Sequence, residues 1–248
     1  MICSVEKIYE NVEISEDIYK LSIKGKFNVV PGQFFMLKVG ELEPLLPRPI
    51  SVYDVDDTKI SFLYTVVGRG TKLLSKLAKN DEVQIMGPLG NGFDIENIKG
   101  KIAVVSGGIG IAPLIYLIKK LTDCEIDLYA GFRTVDYSVD YVGKYVNKIY
   151  LSTESGKKGH KGYITEMIDP RKYQAVICCG PEIMMKKVIS LCNDTKVPVF
   201  VSMENHMACG IGACLVCTCK TKDGNKRTCK DGPVFDGKDL IFNDIRSR

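Results

Sequence analysis

Along the first third of the chain the hydrophobic positions come in short runs whose alternation with polar positions is incomplete. Residues 18–23 and 33–39 alternate imperfectly, and residues 59–67, rich in β-branched and aromatic side chains, give the clearest strand. Pro31-Gly32, Asp56-Asp57 and Gly87-Pro88-Leu89-Gly90 punctuate these runs as turns. A helix is expected over 71–78, with Thr71 as its N-cap. Short strands at this spacing predict a small antiparallel β-barrel. Beyond residue 100 the rhythm changes. Apolar runs at 102–105, 126–129, 148–151, 175–177 and 199–201 alternate with segments of helical character, of which 112–121 and 182–191 are the best formed. That order predicts an α/β unit, a doubly wound parallel sheet of five strands with helices on both faces. From Glu204 onward the chain is rich in glycine and cysteine and has no extended apolar period, so a metal centre is expected to hold it together. The chain thus divides at 1–98, 99–203 and 204–248.

The length of 248 residues suits two domains and a small third module. With 45% hydrophobic and 26% charged residues, the composition excludes a disordered or fibrous chain. The formal charge of +4 is spread without a basic block or aromatic-interleaved stripe, which argues against a nucleic-acid partner. No apolar run approaches the roughly 18 residues a membrane helix needs, and the start, from Met1 to Lys7, lacks the apolar stretch of a signal peptide. A cytoplasmic protein without a membrane segment is expected. In a reducing compartment, ten cysteines point to metal or redox chemistry rather than disulfides.

Half of those cysteines crowd the end of the chain. Cys209, Cys214, Cys217 and Cys229 form C-x4-C-x2-C-x11-C, the first three at the spacing of plant-type [2Fe–2S] sites. Gly210 and Gly212 allow the tight turns that aim backbone N–H groups at anionic sulfur. Four thiolates also suit tetrahedral zinc, although zinc sites usually pair two short knuckles. Cys219 is a surplus thiol, and spacing alone leaves a swap with Cys217 open. A second motif, residues 104–114, runs a buried strand into Gly107-Gly108-Ile109-Gly110 and then a helix with Pro113 in its first turn. Such a helix start attracts phosphate, though it also serves packing, and the pattern is not a full G-x-G-x-x-G. Cys179-Gly180-Pro181 ends the fourth parallel run, where open α/β sheets bind ligands, and a buried structural role for Cys178 and Cys179 is the alternative. A third constellation joins Arg48-Pro49-Ile50-Ser51 to Gly68-Arg69-Gly70-Thr71, an Arg and a helix start able to clamp a pyrophosphate.

The order Arg-Pro-Ile-Ser, Gly-Gly-Ile-Gly-Ile-Ala-Pro-Leu, Cys-Gly-Pro and Met207-Ala208-Cys209-Gly210-Ile211-Gly212-Ala213-Cys214 resembles the ferredoxin-NADP reductase superfamily. Within it, the Cys229-Lys230-Asp231-Gly232-Pro233-Val234-Phe235 tail is most similar to the electron-transfer subunits of B-type, NAD-linked dihydroorotate dehydrogenases. The resemblance implies an FAD-binding barrel contacted through Arg48, Ile50, Ser51, Leu63, Tyr64, Thr65, Gly70 and Thr71. It implies NAD at Gly107, Gly108, Gly110 and the Cys179-Gly180-Pro181 turn, and a [2Fe–2S] cluster on Cys209, Cys214, Cys217 and Cys229. It further implies an FMN-containing catalytic partner that oxidises dihydroorotate, in a heterotetramer of two of each subunit. Electrons would pass through the cluster to FAD and on to NAD⁺ as hydride. This oxidoreductase subunit would then serve pyrimidine biosynthesis, its own chain holding no catalytic acid–base set, since His160 and His206 are its two histidines. His160 reads as a loop residue, and His206 as a cluster neighbour, a partner contact or a plain surface residue. Arg133 leaves a 2′-phosphate, and so NADP, open. Met207 and Ala208 are expected to form an apolar rim facing the partner, so that a charge at Met207 should weaken assembly. Two alternatives stand: the related subunit of an NADH-dependent ferredoxin-NADP transhydrogenase or sulfide dehydrogenase, and a zinc-stapled module without enzymatic role.

Overall fold

The computed structural model describes residues 1–40 and 44–242. Six antiparallel strands, β1 (Ile2–Ser15), β2 (Ile18–Lys24), β3 (Phe34–Lys38), β4 (Arg48–Val55), β5 (Lys59–Thr65) and β6 (Glu82–Leu89), close into a barrel in the order β1-β2-β5-β4-β3-β6. Leu21, Ile23, Phe35, Leu37, Ile60, Phe62, Tyr64 and Ile85 fill its interior. The incomplete alternation of these strands has a structural cause. Leu63 and Tyr53, on the outer face of β5 and β4, are buried against the α/β unit. Phe34 and Met36, on the outer face of β3, are buried against Cys217 and Cys229. A strand covered on both sides loses its period of two. Gly87, Pro88 and Leu89, expected in a turn, continue β6, and the chain turns at Gly90 (φ 74°).

The first helix, α1 (Arg69–Leu74), starts two residues before its expected position. Thr71 caps it from inside: its Oγ1 accepts from the N–H groups of Val67 and Gly68 at 3.0 and 3.2 Å. Asn11 ends it early, its Nδ2 donating to the carbonyls of Leu74 and Leu77 at 2.9 and 2.8 Å, so the terminal acceptors find a partner outside the helix.

The second unit is built on β7 (Gly100–Gly107), β8 (Cys124–Phe132), β9 (Lys148–Thr153), β11 (Ala175–Cys179) and β12 (Val199–Ser202), the five expected parallel strands. The observed sheet has seven, because β10 (His160–Lys161) adds a parallel edge and β15 (Val234–Asp236) an antiparallel one, in the order β10-β9-β8-β7-β11-β12-β15. His160 therefore lies on an edge strand rather than in a loop, its Nε2 2.8 Å from Glu166 Oε2. Helix α2 (Ala112–Lys120) packs on one face, between sheet and barrel, and α4 (Glu182–Thr195) on the other. Between β8 and β9 there is a single helical turn, α3 (Val139–Val142).

The C-terminal segment does not rest on a metal centre alone. It forms a small sheet of β13 (Thr218–Thr221), β14 (Gly224–Arg227) and β16 (Leu240–Ile241) and lends β15 to the large one. No helix among the described residues is long and apolar enough to cross a membrane.

Candidate functional site: two adjoining clefts and a cysteine loop

A cleft of about 790 Å³ opens between the barrel and the α/β unit. Arg48, Ile50, Ser51, Leu63, Tyr64, Thr65 and Thr71 line it, supplied by the start of β4, the end of β5 and α1. Gly70 does not line it but makes room for it. A Cβ there would stand 2.2 Å from Arg48 Nε, so glycine is what allows the guanidinium to lie across α1. The Arg48 Nη1 is steadied by the carbonyls of Leu46 and Pro47 at 2.8 and 3.3 Å. His206 lines this cleft as well, as does Met207.

A second cleft of about 340 Å³ forms where the turn after β7 meets the turn after β11. Gly107, Gly108, Gly110, Gly180 and Pro181 line it. The turns touch at Gly110, where a Cβ would be 2.4 Å from the Cys179 carbonyl oxygen. Gly108 (φ +53°) has open space above it, bounded within 4 Å by the Tyr137 hydroxyl alone among the described residues. A short 3₁₀ turn over Gly108–Ile111 leads into α2, whose first turn carries Pro113. Exposed N–H groups at such a turn suit a dinucleotide's phosphates. Cys179 itself stands behind the wall. It is fully buried, with Sγ 3.9 Å from Glu204 Oε1, and burial together with that carboxyl pushes its thiol well up.

The two clefts share Ile109, Met203, Glu204 and Asn205 as a common wall. Ile109 lies inside the glycine motif, but sequence reasoning missed Met203, Glu204 and Asn205 as cleft residues, because they follow β12 without a pattern of their own. Glu204 is open to cleft solvent yet ringed by protein, and desolvation raises its carboxyl above the ordinary 4.5. Its raised value means that the folded chain holds this proton more tightly than the unfolded chain. Stability is therefore lost as pH rises from 4.5 through the raised value. Glu204→Gln should remove that loss. Its thermal midpoint should match that of the unsubstituted chain near pH 4 and exceed it near pH 7, read on the cofactor-free protein.

The cysteine loop packs behind the first cleft, against Phe34 and Met207 of its lining. Cys217 and Cys229 are 1% and 2% exposed and pack against Phe34, Met36 and Leu89 of the barrel, whereas Cys214 is exposed. The C-x11-C spacing is the β13–β14 hairpin. It carries the chain out and back, so that Thr228 N–H donates to the Cys217 carbonyl at 3.1 Å and Cys229 N–H to Cys217 Sγ at 3.4 Å. Arg227 bonds Asp231 and the Gly212 carbonyl, pinning the hairpin to the loop. At the other end, Ala213 and Cys214 N–H groups donate to Cys209 Sγ at 3.3 and 3.4 Å. Desolvation works against ionisation of Cys209, but the N–H groups of Cys214, Ile211 and Ala213 and the Cys214 thiol outweigh it and bring it down to about 6. Burial, then Cys217 beside it, pushes Cys229 up to about 12. The thiols thus fall into two pairs, Cys209 with Cys214 and Cys217 with Cys229. Among the described residues no three His, Cys, Asp or Glu side chains gather in a way that holds one ion. Two pairs, one of them in a nest of N–H groups, fit a dinuclear iron–sulfur unit better than one tetrahedral zinc. Cys219 lies apart on β13, its thiol beside Thr228.

An antiparallel barrel, a parallel nucleotide-type sheet and a cleft at their junction define a reductase of the ferredoxin-NADP reductase type, here with an iron–sulfur tail. Residues 204–241 match the iron–sulfur cluster binding domain of dihydroorotate dehydrogenase B. The chain is 61% identical to the dihydroorotate dehydrogenase B (NAD(+)) electron transfer subunit of Clostridium acetobutylicum, over 97% of this chain and 98% of that one. It is 51% identical to the Clostridium perfringens subunit of the same name, over 95% and 97%. The chain belongs to this family of electron transfer subunits. Among solved structures, that of an NADH-dependent reduced ferredoxin-NADP oxidoreductase superposes with a TM-score of 0.87 at 30% identity, covering 96% of this chain and 90% of that one.

Proposed function

We propose that this chain takes electrons from an FMN-containing catalytic subunit that oxidises dihydroorotate to orotate, and delivers them through a [2Fe–2S] cluster and FAD to NAD⁺ in the cytoplasm. The observation that carries this reading is the arrangement of the sites. The 790 Å³ cleft adjoins the glycine-walled cleft on one side and the cysteine loop on the other. A flavin is the group that exchanges a two-electron hydride for single electrons, so the middle position is the one it must occupy. Residues 1–98, 99–203 and 204–248 are the FAD, NAD and cluster units in this reading, with 41–43 and 243–248 outside the described residues.

Each residue's part follows from its place. Arg48 and Ser51, with the backbone around Leu63–Thr65, would hold the flavin's phosphates and ring, while Ile50 and Tyr64 exclude water. Gly70 lets Arg48 approach, and Thr71 fixes the turn through its cap. Gly107, Gly108, Gly110, Gly180 and Pro181 would receive the nicotinamide nucleotide, and Cys179 orients Glu204 from behind. Arg133 is exposed, with Glu154 3.9 Å away, and that acidic neighbour favours NAD over a 2′-phosphate. Cys209, Cys214, Cys217 and Cys229 would ligate the cluster.

Anaerobic purification tests the reading: the protein should be coloured, carry iron, sulfide and flavin, and bleach in its flavin band when NADH is added. A colourless, zinc-containing protein would overturn it. The structural likeness to the NADH-dependent reduced ferredoxin-NADP oxidoreductase favours a second reading, a subunit working with a different catalytic partner. The flavin subunit that co-purifies separates the two.

The surface through which the partner delivers electrons differs from the expected rim. Met207 turns inward against the Phe34–Met36–Leu89 cluster. The exposed apolar side chains beside the cysteines are Ile211, Leu215 and Val216, 49%, 62% and 55% exposed. Leu215 also sits at φ 62°, a conformation a leucine adopts at a cost of about 1 kcal/mol. A leucine held in strain and in water is explained by contact with another protein. Leu215→Asp should weaken co-purification with the catalytic subunit by an order of magnitude or more while leaving iron and flavin content unchanged. Aspartate tolerates that φ better than leucine, so a folding defect is not expected.

A further inference from the structure

Of the four residues shared by the two clefts, Asn205 alone sends a side-chain hydrogen bond into the cysteine loop, among the described residues. Its Nδ2 donates to the Cys217 carbonyl at 3.3 Å and to Thr228 Oγ1 at 2.8 Å. Cys217 and Thr228 are 1% and 0% exposed, so both acceptors are buried, and the Asn205 amide is what satisfies the Thr228 hydroxyl from the cleft side. An amide nitrogen has two hydrogens, and both are committed to the loop. The remaining polar atom, Oδ1, has no protein partner among the described residues. It is the group Asn205 leaves available to whatever fills the clefts.

The geometry points to Asn205 as the positioning residue that ties the cysteine loop to the flavin cleft, its amide N–H groups setting the loop and its carbonyl oxygen addressing the ligand. The inference rests on the assignment of flavin, nicotinamide nucleotide and cluster to the three sites. The side chain is short, with two rotatable bonds between the backbone and its planar amide, and Nδ2 and Oδ1 move together as one rigid group. A shift of the loop therefore moves Oδ1, and a ligand pressing on Oδ1 moves the Cys217 carbonyl. Glu204 next to it lacks this reach, because its carboxyl is turned to Cys179. Met203 and Ile109 have no side-chain hydrogen-bonding group to offer. A residue that only filled space between the sites would leave each cofactor's electronic signature independent of the other.

The test is to prepare the full chain anaerobically as Asn205→Leu, Asn205→Ser and Thr228→Val. Three quantities are read: the electron paramagnetic resonance spectrum of the reduced cluster, iron release to a chelator, and the position and midpoint potential of the flavin's visible band. In both Asn205 variants the cluster spectrum should change, iron release should quicken by roughly fivefold, and the flavin band and potential should shift in the same protein. Thr228→Val, which lines neither cleft but removes the hydroxyl that accepts from Asn205 Nδ2, should change the cluster spectrum and shift the flavin band in the same direction as the Asn205 variants, by a smaller amount. Asn205→Leu that fails to retain cofactors is decided by Asn205→Ser, where the smaller hydroxyl keeps the site polar. An Asn205 variant with full iron, sulfide and flavin content in which one signature moves without the other overturns the inference. A Thr228→Val protein whose cluster spectrum changes while its flavin band and potential stay unmoved does so too. If the unsubstituted chain itself holds no flavin or cluster, it is the assignment of the sites that has failed.

Discussion

Asp54→Ala is expected to lower the stability of the chain by about 3 kcal/mol and to slow NADH-dependent flavin bleaching by more than tenfold, with flavin still bound. Asp54 lies on β4 in the barrel, and its side chain is 9% exposed. Both carboxylate oxygens accept from Lys119 Nζ of α2 at 2.7 Å, and the Tyr141 hydroxyl of α3 donates to one of them. Tyr141 also stacks on Tyr53 of β4, with ring centroids 5.8 Å apart. One carboxylate therefore joins the barrel to two helices of the α/β unit. Removing one partner of a buried pair costs about 3–5 kcal/mol, because the other charge stays desolvated and unpaired. Lys119 retains some access to water, which puts the expected loss at the lower end. The rate should fall for a different reason. The cleft assigned to the flavin belongs mainly to the barrel and the one assigned to the nicotinamide to the α/β unit, and hydride transfer between them demands that the two be held within a fraction of an ångström. The flavin residues themselves are untouched by the substitution. Chemical denaturation and stopped-flow bleaching of the flavin band check the two halves, and the substitution Lys119→Met in the same background should restore part of the stability but not the rate.

The five parallel strands and their two principal helices were legible because each is a continuous apolar run or a clear helical face, flanked by turn residues. The barrel was legible as a class but not strand by strand. Phe34-Phe35-Met36-Leu37 reads as an uninterrupted apolar run, and only the fold shows that Phe35 and Leu37 face the barrel while Phe34 and Met36 face the cysteine loop. The lost alternation was itself the mark of a third layer. The four proposed cysteine ligands stood out because thiolate chemistry dictates spacing, and the hairpin behind C-x11-C could be counted in residues though not seen. The shared wall of Glu204 and Asn205 could not be read, since it depends on β12 ending where both clefts meet. Nor could the inward turn of Met207, because exposure near a cluster follows from the neighbouring barrel strand and not from the apolar character of the residue. The extra edge strand β15 escaped for a similar reason: three residues after Gly232-Pro233 carry no pattern, and their pairing with β12 is a tertiary event.

The sharpest separation between pattern and position comes from the two thiols of the Cys217-Thr218-Cys219 step. Cys217→Ser should abolish the cluster, whereas Cys219→Ser should leave about two irons per chain in place. Cys217 is 1% exposed, its Sγ receives the Cys229 N–H, and its carbonyl is held by Thr228 and Asn205. A serine there offers a harder, shorter ligand that the fixed backbone cannot bring forward, and its hydroxyl enters an apolar pocket made by Phe34, Met36 and Leu89. Cys219 lies within β13, opposite Lys226 of β14, with its thiol near Thr228 and raised by burial. Moving it into the ligand position would pull β13 off β14 and break the return of Cys229 to its partner. No cysteine of the loop lines either cleft, so Cys217→Ser should still bind FAD and should still bleach with NADH. Transfer of single electrons between the catalytic subunit and the flavin should fall to the background rate. Iron and sulfide counts, the reduced-cluster resonance signal and NADH bleaching, measured side by side on the two variants, check the contrast. Loss of iron from Cys219→Ser with retention in Cys217→Ser would reverse the ligand assignment.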